Sequence, residues 1–232
     1  MRILLLTLSL LLPLPAFAQP KGSLRTCRIL FLSPPPDAPR KLHLFDGTTS
    51  REVHLPEMNF SEVHTLPAGN LTLYLLTTPL VAGEVIPAGA PSAKVQENVS
   101  DCYLVISGDP SNTVVPVRFQ IIDAGHTRFP KGRMMWFNLS PKTIGGDVGS
   151  SKLVMKPNTR VLLDAPARGA EPYQVNLSYR LPDDPRYYPI CQTQWIHDPR
   201  SRMVVFVIGT GGRSTPQVIG FNDFREAPED NG

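Results

Sequence analysis

The sequence predicts an all-β chain folded as two tandem β-sandwich domains, and three observations carry that reading. Proline is the first: 25 in 232 residues is about twice ordinary usage, a density hostile to helices and suited to short strands and tight turns. Hydrophobic content of 41% is still enough for packed cores. The second is that apolar segments of strand length recur along the whole chain between Gly, Pro, Asn and Asp, with no convincing amphipathic helical period. Third, the second half runs through the same themes in the same order as the first.

Along the chain, "MRILLLTLSLLLPLPAFAQP" comes first, with one charge at Arg2, an apolar run from Ile3 to Leu12, Pro13 and Pro15, then Ala16-Phe17-Ala18. This is the layout of a secretory signal peptide, residues 1–18, with the mature chain starting at Gln19. The run is too short and too proline-broken for a spanning helix. No later segment reaches spanning length, since Leu71 to Val85 is interrupted by polar residues, Pro79 and Gly83. The expected location is the periplasm or the extracellular space.

Strand candidates in the first half are "CRILFLS", "KLHLFDG", "REVHLP", "SEVHTLPAG", "NLTLYLLTT", "CYLVISG" and "VVPVRFQII". Period-2 alternation is clear in several, as in Leu42 and Leu44 against Lys41 and His43. In the last of them Val117, Phe119 and Ile121 alternate with Arg118 and Gln120. They are expected to face inward against the other sheet, leaving no continuous apolar row between domains.

The second half answers these segments. "RMMWFNLSP" echoes "RILFLSP", and "SSKLVMKPNTRVLLDAP" echoes "SREVHLPEMNFSEVHTLPAG". "YQVNLSYRLP" echoes "NLTLYLLTTP", and the hairpin from Val204 to Phe224 echoes that from Tyr103 to Ala124, closing on Asp223 and Asp123. The reading is an internal duplication of an immunoglobulin-like sandwich. A first domain occupies 24–124, a linker 125–132 and a second domain 133–225, with a disordered tail at 226–232. The linker lies in "AGHTRFPKG", where Gly125, Pro130 and Gly132 break regular structure, so protease sensitivity is expected between Ala124 and Gly132.

Ser33, Pro34, Asp37, Ala38 and Pro39 of "SPPPDAP", Asp46-Gly47 of "LFDG" and Leu66 to Gly69 of "LPAG" give the first half a resemblance to a family of exported bacterial β-sandwich domains of unknown function (domain of unknown function 4397). Two extra prolines, Pro35 and Pro36, widen the first turn, and the second half keeps only Ser140-Pro141. The resemblance covers about the first 80 mature residues with modest specificity. It implies a β-sandwich fold and export, and it brings neither an activity nor a catalytic residue.

Chemistry is sparse. Removing Arg2 takes the formal charge from +3 to about +2, with both signs interspersed, which is no nucleic-acid-binding profile. Cys27, Cys102 and Cys191 form no CxxC or Cys/His cluster, and the histidines show no ligand spacing, so no metal and no cofactor is expected. In an oxidising compartment at most one disulfide is expected, with Cys27–Cys102 the first choice because both lie in the first repeat. The five Asn-x-Ser/Thr matches, at Asn59, Asn70, Asn98, Asn138 and Asn176, are read as ordinary polar residues.

His197-Asp198 is the most enzyme-like dipeptide, but neighbours on a strand point to opposite faces, so an Asp-Pro turn is the better reading. Asp183-Asp184 reads as a solvated loop, and "GTGGR" from Gly209 to Arg213 as a hairpin turn, because a strand follows it instead of a helix. Trp136 is expected in the core; Trp195, Tyr187 and Tyr188 are the candidate ligand surface for aromatic stacking. The functional expectation is an exported, non-catalytic structural or binding module, its partner an exported protein or a cell-envelope component. The alternatives are a periplasmic assembly chaperone with two immunoglobulin-like domains, and a carbohydrate-binding protein or hydrolase.

Overall fold

The computed structural model describes residues 25–209 and 215–225, among which there are sixteen strands and no helix. The predicted leader, its cleavage site and the 226–232 tail lie outside the described residues. The first half contributes β1 (Arg25–Phe31), β2 (Lys41–Phe45), β3 (Ser50–His54), β4 (His64–Leu66), β5 (Leu71–Leu76), β6 (Ser92–Val95), β7 (Asp101–Gly108) and β8 (Val117–Asp123). β9 (Met134–Asn138), β10 (Thr143–Val148), β11 (Ser151–Met155), β12 (Thr159–Leu163), β13 (Pro172–Arg180), β14 (Tyr187–Ile196), β15 (Arg202–Ile208) and β16 (Gln217–Asp223) come from the second.

Each half is a sandwich of two four-stranded sheets. The first half has one sheet in the order β4-β1-β7-β8 and another in the order β3-β2-β5-β6. The second half has β12-β9-β15-β16 and β11-β10-β13-β14, the same two orders with every strand replaced by its counterpart eight later. Even the parallel pairing recurs, β1 with β7 and β9 with β15, in otherwise antiparallel ladders. The first strand shares a sheet with the fourth, seventh and eighth. The constant-type immunoglobulin partition is different, placing the first with the second, fourth and fifth; what the halves share with that fold is the two-sheet sandwich.

Which strands read as continuous apolar runs and which alternate follows from the layering. Sheets β4-β1-β7-β8 and β12-β9-β15-β16 pack on each other through Leu30, Tyr103, Val105, Met135, Phe137, Val204, Phe206 and Phe221. On their opposite faces they cover the separate cores of the two domains, built around Ile29, Leu44, Leu73 and Leu104 in one and Trp136, Val175, Leu177 and Val205 in the other. The molecule is therefore four layers deep, outer sheet, inner sheet, inner sheet, outer sheet. Central strands of the inner sheets are covered on both faces, so β7 and β9 are apolar almost throughout, whereas β13 in an outer sheet alternates. Each fully buried Leu, Val or Phe of the middle layer contributes about 1.5–3 kcal/mol.

The middle layer bears on two expectations. Residues 125–132 are anchored at Phe129 and, just before them, at Ala124, both fully buried in the interdomain core with carbonyls that accept from the Arg202 guanidinium, while Thr127, Arg128 and Lys131 stay exposed. A linker of such composition looks flexible in sequence because the residues that pin it lie in another strand. The echo of "RILFLSP" needs no gap either. Leu32 N–H donates to Ile106 C=O and Leu139 N–H to Val207 C=O, both at 2.8 Å, so Ser33-Pro34 corresponds to Ser140-Pro141 and Arg28 to Met135. Arg133, just before β9, corresponds to Thr26.

β8 behaves as its alternation requires. Val117 is fully buried and Phe119 nearly so in the first domain's core, with Ile121 packed against it. Arg118 and Gln120 are exposed, and Ile122 turns the other way into the interdomain layer.

Candidate functional site

Where the inner sheets meet, the C-terminal ends of β1, β7, β9 and β15 converge on one cleft of about 680 Å³. Its apolar walls are Leu32, Val105, Phe119, Leu139 and Ile208, and its polar groups include Ser33, Ser107, Arg118, Gln120 and Asn158. A second hollow of about 390 Å³ shares Gln120, Leu139 and Asn158 with it and continues between β8 and β12, past Ile121, Ile122 and Phe137 to Arg160. Together they form one groove at the domain junction, within the size range of small-molecule sites.

The duplicated Ser-Pro turns build the mouth of this groove. A Cβ on Gly108, which ends β7, would stand 3.2 Å from Pro35 Cδ, and one on Gly209, just after β15, would stand 3.0 Å from Pro141 Cδ. Glycine at the start of each closing hairpin thus lets a proline of the turn after β1 or β9 lie close on it, where a larger residue would push the ring back by a few tenths of an ångström. Ser33 and Asn158 are the two described non-glycine residues with positive φ, at 48° and 55°. Both line the groove, and left-handed residues outside glycine gather at binding sites often enough to be informative.

The groove's charge is one-sided. Among the described residues Arg118 and Arg160 are its only charged lining residues, and neither makes an ion pair with another of them. Arg118 Nε donates to Ser107 Oγ at 3.2 Å, which steers its guanidinium along the rim. Nearby Asp109 is tied into its own turn through Ser111, and those hydrogen bonds hold its carboxyl below the usual range.

At the opposite end of the inner sheets lies a buried charge cluster. Arg202 pairs with Asp223 at 2.7 Å and with Asp101 at 3.2 Å, all three side chains being nearly inaccessible. Arg28 and Arg225 also pair with Asp223, Arg225 with Asp101, and the Tyr103 hydroxyl donates to Asp223. Burial pushes the Tyr103 phenol far up and brings Arg225 down to about 10, still a cation at neutral pH. Every member has a partner, so this cluster welds the domains and has no free group with which to meet a ligand.

The aromatic candidates do not gather on one face. Trp195 turns inward and stacks on Trp136, centroids 5.8 Å apart and planes 6° apart, with Trp136 wholly buried. Tyr188 stacks on Tyr179 at 5.5 Å and donates its hydroxyl to Asp184, while Tyr187 stands exposed on the other face beneath Arg180. Polar neighbours in "CQTQWIHD" disguised Trp195 because they face solvent on the same strand. Asp184 is clamped by Arg186. Asp198 binds Arg200 in its turn, away from any dyad with His197, whose Nε2 is buried without a partner and whose burial lowers its pKa. Of "GTGGR", only Gly209 is among the described residues.

Cys27 and Cys102 are Cα register partners on the parallel strands β1 and β7, both fully buried, and both thiols are free. The Cys102 thiol is pushed far up by its hydrogen bond with Cys27 and by burial. Cys191 stands apart on β14. Asp46-Gly47 is a turn in which Asp46 accepts from Thr48 and Thr49 while Gly47 takes φ +95°. Burial opposes ionisation of Asp46, but those hydrogen bonds outweigh it and hold the carboxyl at about 2.

Sequence reasoning missed the groove. Its residues come from six strand ends or turns and share no motif; the one legible signal was the repeated Ser-Pro. A scan of protein-family models gives no match to this chain, and a search of curated proteins gives none. The resemblance of the first half accordingly stands on its turn residues alone.

Proposed function

We propose that the protein is an exported, non-catalytic binding module whose interdomain groove holds an elongated anionic amphiphile, a molecule with an acyl-like body and a carboxylate, sulfonate or phosphate head. The observation that carries this reading is the lining: among the described residues, apolar walls with two guanidiniums and no carboxylate. An apolar body is accommodated by Leu32, Val105, Leu139 and Ile208, and a head group at the rim gains charge-assisted hydrogen bonds from Arg118. The chaperone alternative has less support, because Val117, Phe119 and Ile121 are turned into the first domain's core and do not form an apolar row for a client strand. Export follows the N-terminal leader pattern, and a mature mass beginning at Gln19 in the exported fraction checks it.

Binding is tested by titrating the mature protein with dodecanoate and with dodecanol, followed by displacement of a fluorescent anilinonaphthalene sulfonate. Dodecanoate is expected to bind, dodecanol to bind about tenfold more weakly, and Arg118→Ala to erase most of that difference. Equal affinity for acid and alcohol, or none for either, would overturn the reading.

A further inference from the structure

β14 is the longest strand among the described residues, ten residues at the edge of the second domain's outer sheet. We infer that its free edge is a self-association surface on which a second copy of this chain adds its own β14, antiparallel, about a two-fold axis at Gln194.

Backbone direction comes first. His197 N–H donates to Glu171 C=O at 2.9 Å, while Gln174 C=O faces the other way and accepts from Gly149 N–H at 2.8 Å. An antiparallel ladder alternates strictly, and the register pairs Tyr173 with Trp195, Gln174 with Gln194 and Val175 with Thr193. The N–H and C=O groups of Thr193 and Trp195 therefore go to β13. Those of Gln192, Gln194 and Ile196 point out at the edge, where among the described residues no strand meets them.

Protection of edges comes next. Seven other strands lie at sheet edges. β3, β6, β8, β11, β12 and β16 each carry a Lys, Arg, Asp or Glu, and β4 has only three residues. Such charges and short lengths are how edges are kept from pairing. β14 reads YYPICQTQWI and has no charge at all. Its own safeguards, Pro189 and the irregularity opposite Leu177/Ser178, leave the six residues Cys191–Ile196 regular and unprotected.

The absence of charge also selects the occupant. A two-fold operation sets a strand against itself, so any Lys or Asp on it would meet its own kind within a few ångströms. With Gln194 on the axis, Gln194 faces its own copy and each Gln192 faces the Ile196 of the second copy. No like charges meet along this stretch, and Ile196, 75% exposed in the single chain, gains cover. The edge lies in an outer sheet, so the interdomain groove stays open in such a dimer and the inference is independent of the groove's ligand.

With the axis at Gln194 the self-paired residues are the five from Gln192 to Ile196, a small interface, and the expected dissociation constant is on the order of 10 to 100 µM. Sedimentation equilibrium of the mature chain should show concentration-dependent dimers. Gln194→Pro removes an N–H that no internal bond uses, and Ile196→Lys puts a cation on each side of the axis; each should weaken dimerisation about tenfold or more. In a Cys191→Ser background, Gln194→Cys should give a disulfide-linked dimer on mild oxidation, since facing residues stand about 5.5 Å apart. A wild-type chain that stays monomeric to millimolar concentration overturns the inference. So do a dimer indifferent to both Gln194→Pro and Ile196→Lys, and a folded Gln194→Cys chain that does not cross-link.

Discussion

The two halves carry one strand plan and finish it differently. In the first domain β6 is four residues long and lies against β8, closing the sandwich along that side. In the second, β14 has ten residues and makes no comparable contact with β16, and the closing contact is between β11 and β12 instead. The core under β14 is sealed by the Trp136–Trp195 stack. A repeated topology thus fixes which strands are neighbours while leaving open which edge is sealed, and the open edges are where duplicated domains diverge in what they touch.

The largest effect that separates the halves should come from the acidic residues that close β8 and β16. Asp223 is buried among Arg28, Arg202 and Arg225, so Asp223→Ala strands buried cations and should lower unfolding free energy by about 3–5 kcal/mol in urea titration. Asp123 meets the largely exposed Arg128, and Asp123→Ala should change stability by about 1 kcal/mol or less. Similar losses at both positions would mean that the charge cluster does not join the domains. Phe119→Ala, on the closed side of the first domain, should cost about 3 kcal/mol, the low end for a buried ring because its edge lines the groove; an unchanged midpoint would place the ring outside the core.

Smaller effects distinguish the β2–β3 turn from its counterpart β10–β11. The second turn is tight, with Gly149 at φ +57° and a Cβ there 2.6 Å from Pro166 C=O. Gly149→Ala should therefore cost about 2 kcal/mol in thermal or urea unfolding. The first turn is wider and held by Asp46, and Asp46→Ala should cost about 1 kcal/mol, because the groups it accepts from belong to the exposed Thr48 and Thr49 and can turn to water. Only this one titrates. Asp46 has its folded pKa lowered to about 2 from 3.8, so its contribution is complete above the unfolded value and is lost as pH falls from about 4 through 2. Acid unfolding midpoints of wild type and Asp46→Asn should converge in that window, and a gap that persists below it would deny the carboxylate this role.

Much of the fold was legible in particular residues. The strand segments around Tyr103–Ile106 and Val204–Ile208 were legible as apolar strands that repeat between the halves, and the layering explains why they lack the alternation of β13. Ser33-Pro34 and Ser140-Pro141 marked equivalent turns correctly, although the matching arginines misled by two positions: Arg28 belongs to the buried charge cluster, whereas Arg133 pairs with the exposed Asp164, so the two do different work in the two halves. The middle layer was not legible, because a residue covered on a second face looks no different from one covered on the first. The charge cluster was invisible for another reason: Arg28 and Asp223 are 195 residues apart, and neither has a telling neighbour. The groove escaped because Ser, Gln, Asn and Arg at strand ends are what any loop contains.

The middle layer has a consequence in time. Its first-half face, Leu30, Tyr103 and Val105, is complete when residue 123 has been made, but its cover includes Phe206 and Phe221. At synthesis rates of ~5–20 residues per second, the roughly 100 intervening residues leave that face bare for ~5–20 s. That is long compared with the microseconds to milliseconds of collapse and strand pairing. The nascent first domain thus passes through a stage in which a strip of Leu, Val and Tyr, flanked by the uncompensated Arg28, is open to any other apolar surface. Until its second half arrives, the chain has no cover of its own for that strip.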